Sequence, residues 1–150
     1  MREAIRLSEH GMNQNEGGPF GCVIILNGEI IGRGNNKVTS TNDPTAHAEV
    51  VAIRDACSRL KTYELPECEL YSSCEPCPMC LSAIYWARIQ RIYYACSRMD
   101  AAAIGFDDDF IYKEIPKELN QRMIPLSQMM REDGFRVFDE WMAKLDKIDY

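Results

Sequence analysis

His47 and Glu49, two positions apart, and Cys77 and Cys80, three apart, are the side chains whose types and spacing could do chemistry together. One imidazole and two thiolates make three ligands for Zn2+. A fourth tetrahedral position left open admits water, as in a catalytic rather than a structural zinc site. Two thiolates balance the charge of the ion and a neutral imidazole adds none, so such a core polarises its water well. Water bound in this way reaches a pKa of about 7 in favourable sites. Glu49 stands outside the ligand set and is suited to take a proton from that water and pass protons to a substrate. A lone Cys-x-x-Cys would be weak support, because redox and structural sites use it too. Cys74 offers a rival arrangement, a closed site of Cys74, Cys77, Cys80 and His47, but this leaves Glu49 and Pro76 without a role. Cys74 reads instead as a thiol beside the metal shell. His10 reads as a surface residue near a helix end.

These side chains need elements that aim them. Thr41-Asn42-Asp43-Pro44-Thr45 marks a loop and a helix start, and the helix runs from about Ala46 to Leu60 with Val50, Ile53 and Cys57 at apolar spacing. Pro76 and Pro78 suit the first turn of a second helix that reaches about Ala87. Cys77 and Cys80 share a face there, at a helix N-terminus that favours thiolates. Residues two apart diverge inside a regular helix, so His47 and Glu49 can approach one point only from a first turn aimed at it. Two helix N-termini must therefore converge on one ion.

The remaining pattern supplies a frame. Residues 2 to 13 read as a short helix with Ala4, Ile5 and Leu7 on its apolar side, followed by the breaker-rich loop Gly17-Gly18-Pro19-Phe20-Gly21. Cys22 to Leu26 reads as a buried strand, Asn27-Gly28 as a type I′ turn, and Ile30 to Lys37 as its antiparallel return. Glu69 to Ser73 and Arg91 to Cys96 are further strands, Met99 to Ile104 a helix, and Asp107-Asp108-Asp109 an acidic loop. Met123 to Met130 reads as a strand or an extended arm. Phe135, Phe138, Trp141, Met142 and Leu145 keep a helical spacing that suits burial against the core or against a partner subunit. The expected fold class is α/β, a three-layer α/β/α sandwich around a mixed sheet of about five strands. It forms one domain over residues 1–150, with a helical tail from about 131.

Composition narrows the partners. The chain has 150 residues, 46% hydrophobic and 27% charged, enough for a packed core. Net charge is −6 and no Lys/Arg cluster exceeds a pair, which argues against a grip on nucleic acid. No apolar run is long enough for a membrane span, the charged start Met1-Arg2-Glu3 does not read as a secretory leader, and seven cysteines suit reduced thiols in the cytoplasm. Cys22, Cys57, Cys68 and Cys96 read as small core residues.

His-x-Glu followed by Pro-Cys-x-x-Cys is a known signature of zinc nucleobase deaminases. Pro19-Phe20-Gly21, Asn35-Asn36, Asp43 to Glu49 and Ser73 to Cys80 resemble the cytidine deaminase superfamily. Ala83-Ile84-Tyr85-Trp86-Ala87-Arg88, Gly105-Phe106-Asp107-Asp108, Phe110 to Glu114 and the final Tyr150 are similar to the bacterial guanine deaminases within it, across most of residues 17 to 115. The resemblance implies a cytidine deaminase-like fold, a zinc cofactor on His47, Cys77 and Cys80, and hydrolysis of guanine to xanthine and ammonia. It implies catalytic roles for Glu49 and Asp108, and substrate contacts from Asn36, Ala48, Phe20, Trp86 and Tyr150. It also implies a homodimer, with the C-terminal tail kept at home or exchanged.

The chemistry of the base agrees. Guanine carries its amine on C2 beside an N1–H donor, so a carboxylate such as Asp108 can accept from both, while Asn36 meets the O6 and N7 side. Cytosine and adenine present an acceptor nitrogen beside the amine and mismatch an ionised Asp. Trp86 reads equally as a wall of the pocket or as core, and Asp107-Asp108-Asp109 taken alone reads as a solvated loop. Two other functions stay open: a tRNA adenosine deaminase using the same zinc motif, and a zinc-stapled interaction domain with Cys74 as fourth ligand.

Overall fold

A computed structural model describes residues 1–149. The chain divides into two compact units, Met1–Ile111 and Tyr112–Tyr150.

In the first unit, strand β1 (Gly21–Leu26) turns back into β2 (Glu29–Asn35) through Asn27 and Gly28, both at positive φ as a type I′ turn requires. β1 also pairs antiparallel with β3 (Glu69–Cys74), and β3 pairs parallel with β4 (Arg91–Cys96), so the sheet runs β2-β1-β3-β4. This is the mixed sheet the pattern predicts, with four strands rather than about five among the described residues. Residues 123–130 form no strand, and Met130 takes a left-handed conformation with φ 51°.

Alternation along β1 sends its side chains to two helical layers. Val23 packs with Ala4 and Leu7 of α1 (Arg2–Asn13), while Cys22 and Ile24 join Ala52 and Ala56 of α3 (Ala48–Leu60) and Ile84 of α4 (Pro78–Trp86). Helices therefore cover both faces, giving the expected three-layer α/β/α architecture.

Two local features set where α3 begins. Asn36 Oδ1 accepts the Val38 backbone N–H at 3.2 Å, ending β2 early and starting a short helix α2 (Val38–Thr41) that the strand-like pattern to Lys37 conceals. Asp43 Oδ1 accepts from the N–H and the hydroxyl of Thr45, at 2.8 and 2.6 Å, so it closes a turn rather than capping the helix. The chain stays non-helical through His47, and α3 starts at Ala48, two residues later than the pattern suggests.

α3 lies very close to β2. Its fully buried alanines 48, 52 and 56 face Gly32 and Gly34, and a Cβ built on Gly34 would sit 2.2 Å from the Ala48 carbonyl oxygen. This contact fixes the first turn of α3 over the sheet. Gly34→Ala is expected to lower stability by about 1–3 kcal/mol or more, read as an earlier urea midpoint, because the clash is with backbone that cannot step aside.

α5 (Arg98–Ala103) opens with a capping box between Ser97 and Asp100, and α6 (Asp109–Glu114) follows the acidic loop. The second unit contains a short 3-10 turn (Leu119–Gln121) and α7 (Arg131–Ala143), which presents Phe138, at 65% exposure, and Met142 to solvent. All seven cysteines are free thiols. Among the described residues no helix is long and apolar enough to cross a membrane.

Candidate active site

His47 is the N-cap of α3 and Cys77 the N-cap of α4, both with extended backbone, and neither side chain caps its own helix. Each turns instead toward the other. His47 Nδ1 lies 3.6 Å from Cys77 Sγ and 3.5 Å from Cys80 Sγ, and all three ligand atoms fall within 4.8 Å of one another. Tetrahedral zinc, with Zn–N about 2.0–2.1 Å and Zn–S about 2.3 Å, separates nitrogen and sulfur by about 3.6 Å. The residues thus fit zinc as they stand, and the two helix starts converge as the spacing demands.

The charge state fits as well. Cys77 is brought down to about 4, by the hydrogen bond from Cys80 and then by His47, against the opposing effect of burial. Cys80 is pushed up, first by that bond to Cys77 and then by burial and the Glu49 charge. The pair thus favours a thiolate on Cys77, and a metal held there would favour both thiolates. The hydrogen bond to Cys77 also raises His47.

Cys74 is buried and its Sγ lies 3.6 Å from the Ser97 carbonyl oxygen; it is not in the three-residue cluster. Burial raises its thiol to about 11. The four-ligand closed site is therefore not the arrangement observed. His10 is exposed in the last turn of α1.

Glu49, the second residue of α3, is buried beside the cluster, and burial holds it above the usual carboxylate range. Ser72 Oγ donates to Glu49 Oε1 at 3.0 Å. A pocket of about 470 Å³ opens over this group, bringing Phe20, Asn36, His47, Glu49, Cys77 and Asp108 together. Asn36 Oδ1 accepts the N–H groups of Gly18 and Val38 at 3.3 and 3.2 Å, so its NH2 is the end it can offer a ligand. Burial, then the nearby Cys77 thiolate, raises Asp108. Asp107 and Asp108 line the pocket, whereas Asp109 starts α6 and donates its N–H to Asp107 Oδ1 at 3.0 Å.

Two substrate positions stand outside the lining. Trp86, read from the sequence as a pocket wall or as core, is neither: it is 64% exposed and absent from the lining. It sits nine residues beyond Cys77, about 13 Å along α4 at 1.5 Å per residue. Ala48 is fully buried and also absent from the lining. Tyr150 lies outside the described residues.

The second aromatic of the pocket is Phe106, which meets Phe20 edge to face with ring centroids 4.9 Å apart. Gly18 makes room for the pair, since a Cβ there would lie 2.9 Å from Phe106 Cζ. Phe106 sits two residues before Asp108, and that adjacency was the available signal. Arg98 also lines the pocket, where its charge opposes the rise at Asp108, and its N–H donates to Glu75 Oε2 at 3.0 Å.

Residues 1–96 match the family model described as the cytidine and deoxycytidylate deaminase zinc-binding region. The chain is 51% identical over 150 residues to a guanine deaminase of Bacillus subtilis, covering all of this chain and 96% of that protein. It is 44% identical over 145 residues to a tRNA-specific adenosine deaminase of Aquifex aeolicus, covering 97% and 90%. The X-ray structure of guanine deaminase from Bacillus subtilis superposes with a TM-score of 0.96 at 52% identity, over 99% of this chain and 95% of that one.

Proposed function

This chain belongs to the cytidine and deoxycytidylate deaminase zinc-binding family, and from that premise we propose that it hydrolyses guanine to xanthine and ammonia. The observation that carries the reading is one pocket lined by His47 and Cys77 of the three-residue ligand cluster, by a buried Glu49 outside that cluster, and by Asp108 with Asn36 around the space for a base. Full-length identity to a guanine deaminase supports the choice of base.

His47, Cys77 and Cys80 would hold zinc, which would supply Lewis acidity to activate the attacking water. Glu49 carries protons, first to guanine N3 and then to the departing 2-amino group. Asp108 accepts from N1–H and the 2-amino group and so orients C2. The Asn36 NH2 donates to the O6 and N7 side, because its oxygen is already committed to backbone. Phe20 and Phe106 supply aromatic contact to the flat base. Tyr150 is the proposed closing contact.

Asp108→Ala is expected to lower guanine kcat/KM about 100-fold while zinc content stays at one per chain, because a charged acceptor for two donors disappears. Steady-state xanthine formation with metal analysis checks this.

The net charge of −6 supports a free base over tRNA. Guanine, adenine, cytosine, cytidine and a tRNA transcript, offered separately, should give ammonia from guanine and only traces from the others. Editing of tRNA adenosine without xanthine from guanine would replace this reading with that of a tRNA deaminase.

We further propose a cytoplasmic protein of one deaminase domain with a C-terminal arm, acting as a homodimer without nucleic acid or membrane. Exposed Met129, Met130 and Phe138 in the second unit are the kind of surface a second copy would cover.

A further inference from the structure

We infer that Ser72 is the positioning residue for the Glu49 carboxylate, holding Oε1 so that Oε2 is the oxygen that exchanges protons. The inference rests on the reading of Glu49 as proton carrier. Ser72 is 1% exposed and Glu49 6%, and the Ser72 hydroxyl donates to Oε1 at 3.0 Å. A carboxylate carried near the start of a helix on one side chain can rotate about its last bond, and a fixed donor on one oxygen removes that freedom.

The bond follows from strand register. In β3, Ser72 pairs with Cys22 of β1, whose side chain faces α3, so the hydroxyl emerges on the face where Glu49 lies. Ser73 points the other way, and its Oγ accepts the Gly21 N–H at 2.9 Å. The two adjacent serines are therefore not equivalent: one holds the start of β1, the other the acid.

The Ser72 hydroxyl is the side-chain donor that the geometry sets against the buried carboxylate, at 3.0 Å from Oε1.

The test compares Ser72→Thr with Ser72→Val in the full chain. These side chains have nearly the same volume and shape and differ by the hydroxyl, so a packing effect strikes both. Ser72→Thr is expected to keep kcat within about threefold of wild type. Ser72→Val should lose about 10- to 100-fold in kcat, at unchanged KM and one zinc per chain, as for a lost hydrogen bond to a charged group. Equal losses in both variants, or loss of zinc from Ser72→Val alone, would overturn the inference.

Two further measurements separate positioning from packing. In a Glu49→Gln background, Ser72→Val should add no further loss, whereas multiplying losses would place Ser72 on another path. In metal-free protein, the infrared carboxylate band that disappears on Glu49→Gln should shift in Ser72→Val and not in Ser72→Thr; an unmoved band overturns the contact. A wild-type protein inert toward guanine would remove the functional reading while leaving the infrared result standing.

Discussion

Glu49→Gln retains one zinc per chain, binds guanine with little change in affinity, and turns it over about 10³- to 10⁴-fold more slowly. The zinc survives because Glu49 is outside the ligand cluster: the atoms within 4.8 Å of one another belong to His47, Cys77 and Cys80. The fold survives because glutamine has nearly the same volume and can still receive the 3.0 Å hydrogen bond from Ser72. What disappears is a group that can take a proton and give it back, and a positioned acid–base group contributes at the upper end of about 10²–10⁴-fold. Burial favours the exchange, since it holds the carboxylate above its usual range and brings its proton affinity closer to that of the groups it serves. A variant that kept its zinc and its turnover would transfer the proton step to another residue, and Asp108 is a second carboxylate lining the pocket.

That separation between metal holding and proton carriage was legible in the sequence because it depends on local spacing. His47 and Glu49 can converge only from a first helical turn, and the Pro-flanked cysteines mark another, so two converging helix starts follow from the chain itself, although α3 begins two residues later than the pattern places it. The hairpin at Asn27-Gly28 is equally local. Trp86 stands outside the pocket lining for the complementary reason. Its helix was correctly foreseen, but whether its far end meets the pocket depends on helix length and direction, which spacing near Cys77 does not report. Phe106 was missed because an aromatic after a glycine in an acidic loop carries no periodic signal; its role appears only when Phe20, from a distant loop, stands 4.9 Å away. Ser72 was invisible for a similar reason. A serine in a strand says nothing of its partner until register turns it toward α3. The early end of β2 likewise came from one side chain, Asn36, bonding its own backbone two residues on.

Cys77→Ala gives the opposite dissociation: zinc falls to a small fraction of one per chain after dialysis, xanthine formation falls below detection, and added zinc in excess fails to restore it. Removing Cys77 deletes the sulfur that ionises most readily, with its thiol at about 4, and leaves Cys80, whose proton burial and the Glu49 charge still favour. The remaining imidazole and thiol make a weak site, since metal binding must also displace that proton. The chain still folds, because α3 and α4 are fixed by Ala52, Ala56, Ile84 and the glycines of β2 rather than by the ion. Thermal unfolding separates this outcome from simple misfolding. With free zinc at 100 times its dissociation constant, wild type gains about 2.7 kcal/mol. For a chain of this size that gain is a rise of roughly 5–10 °C in Tm. Cys77→Ala should unfold near the metal-free wild type and show no rise with zinc, while Glu49→Gln, equally inactive, should rise as wild type does. If both variants responded to zinc alike, the cluster of His47, Cys77 and Cys80 would not be the metal site, and the proton chemistry assigned to Glu49 would lose the neighbour it depends on.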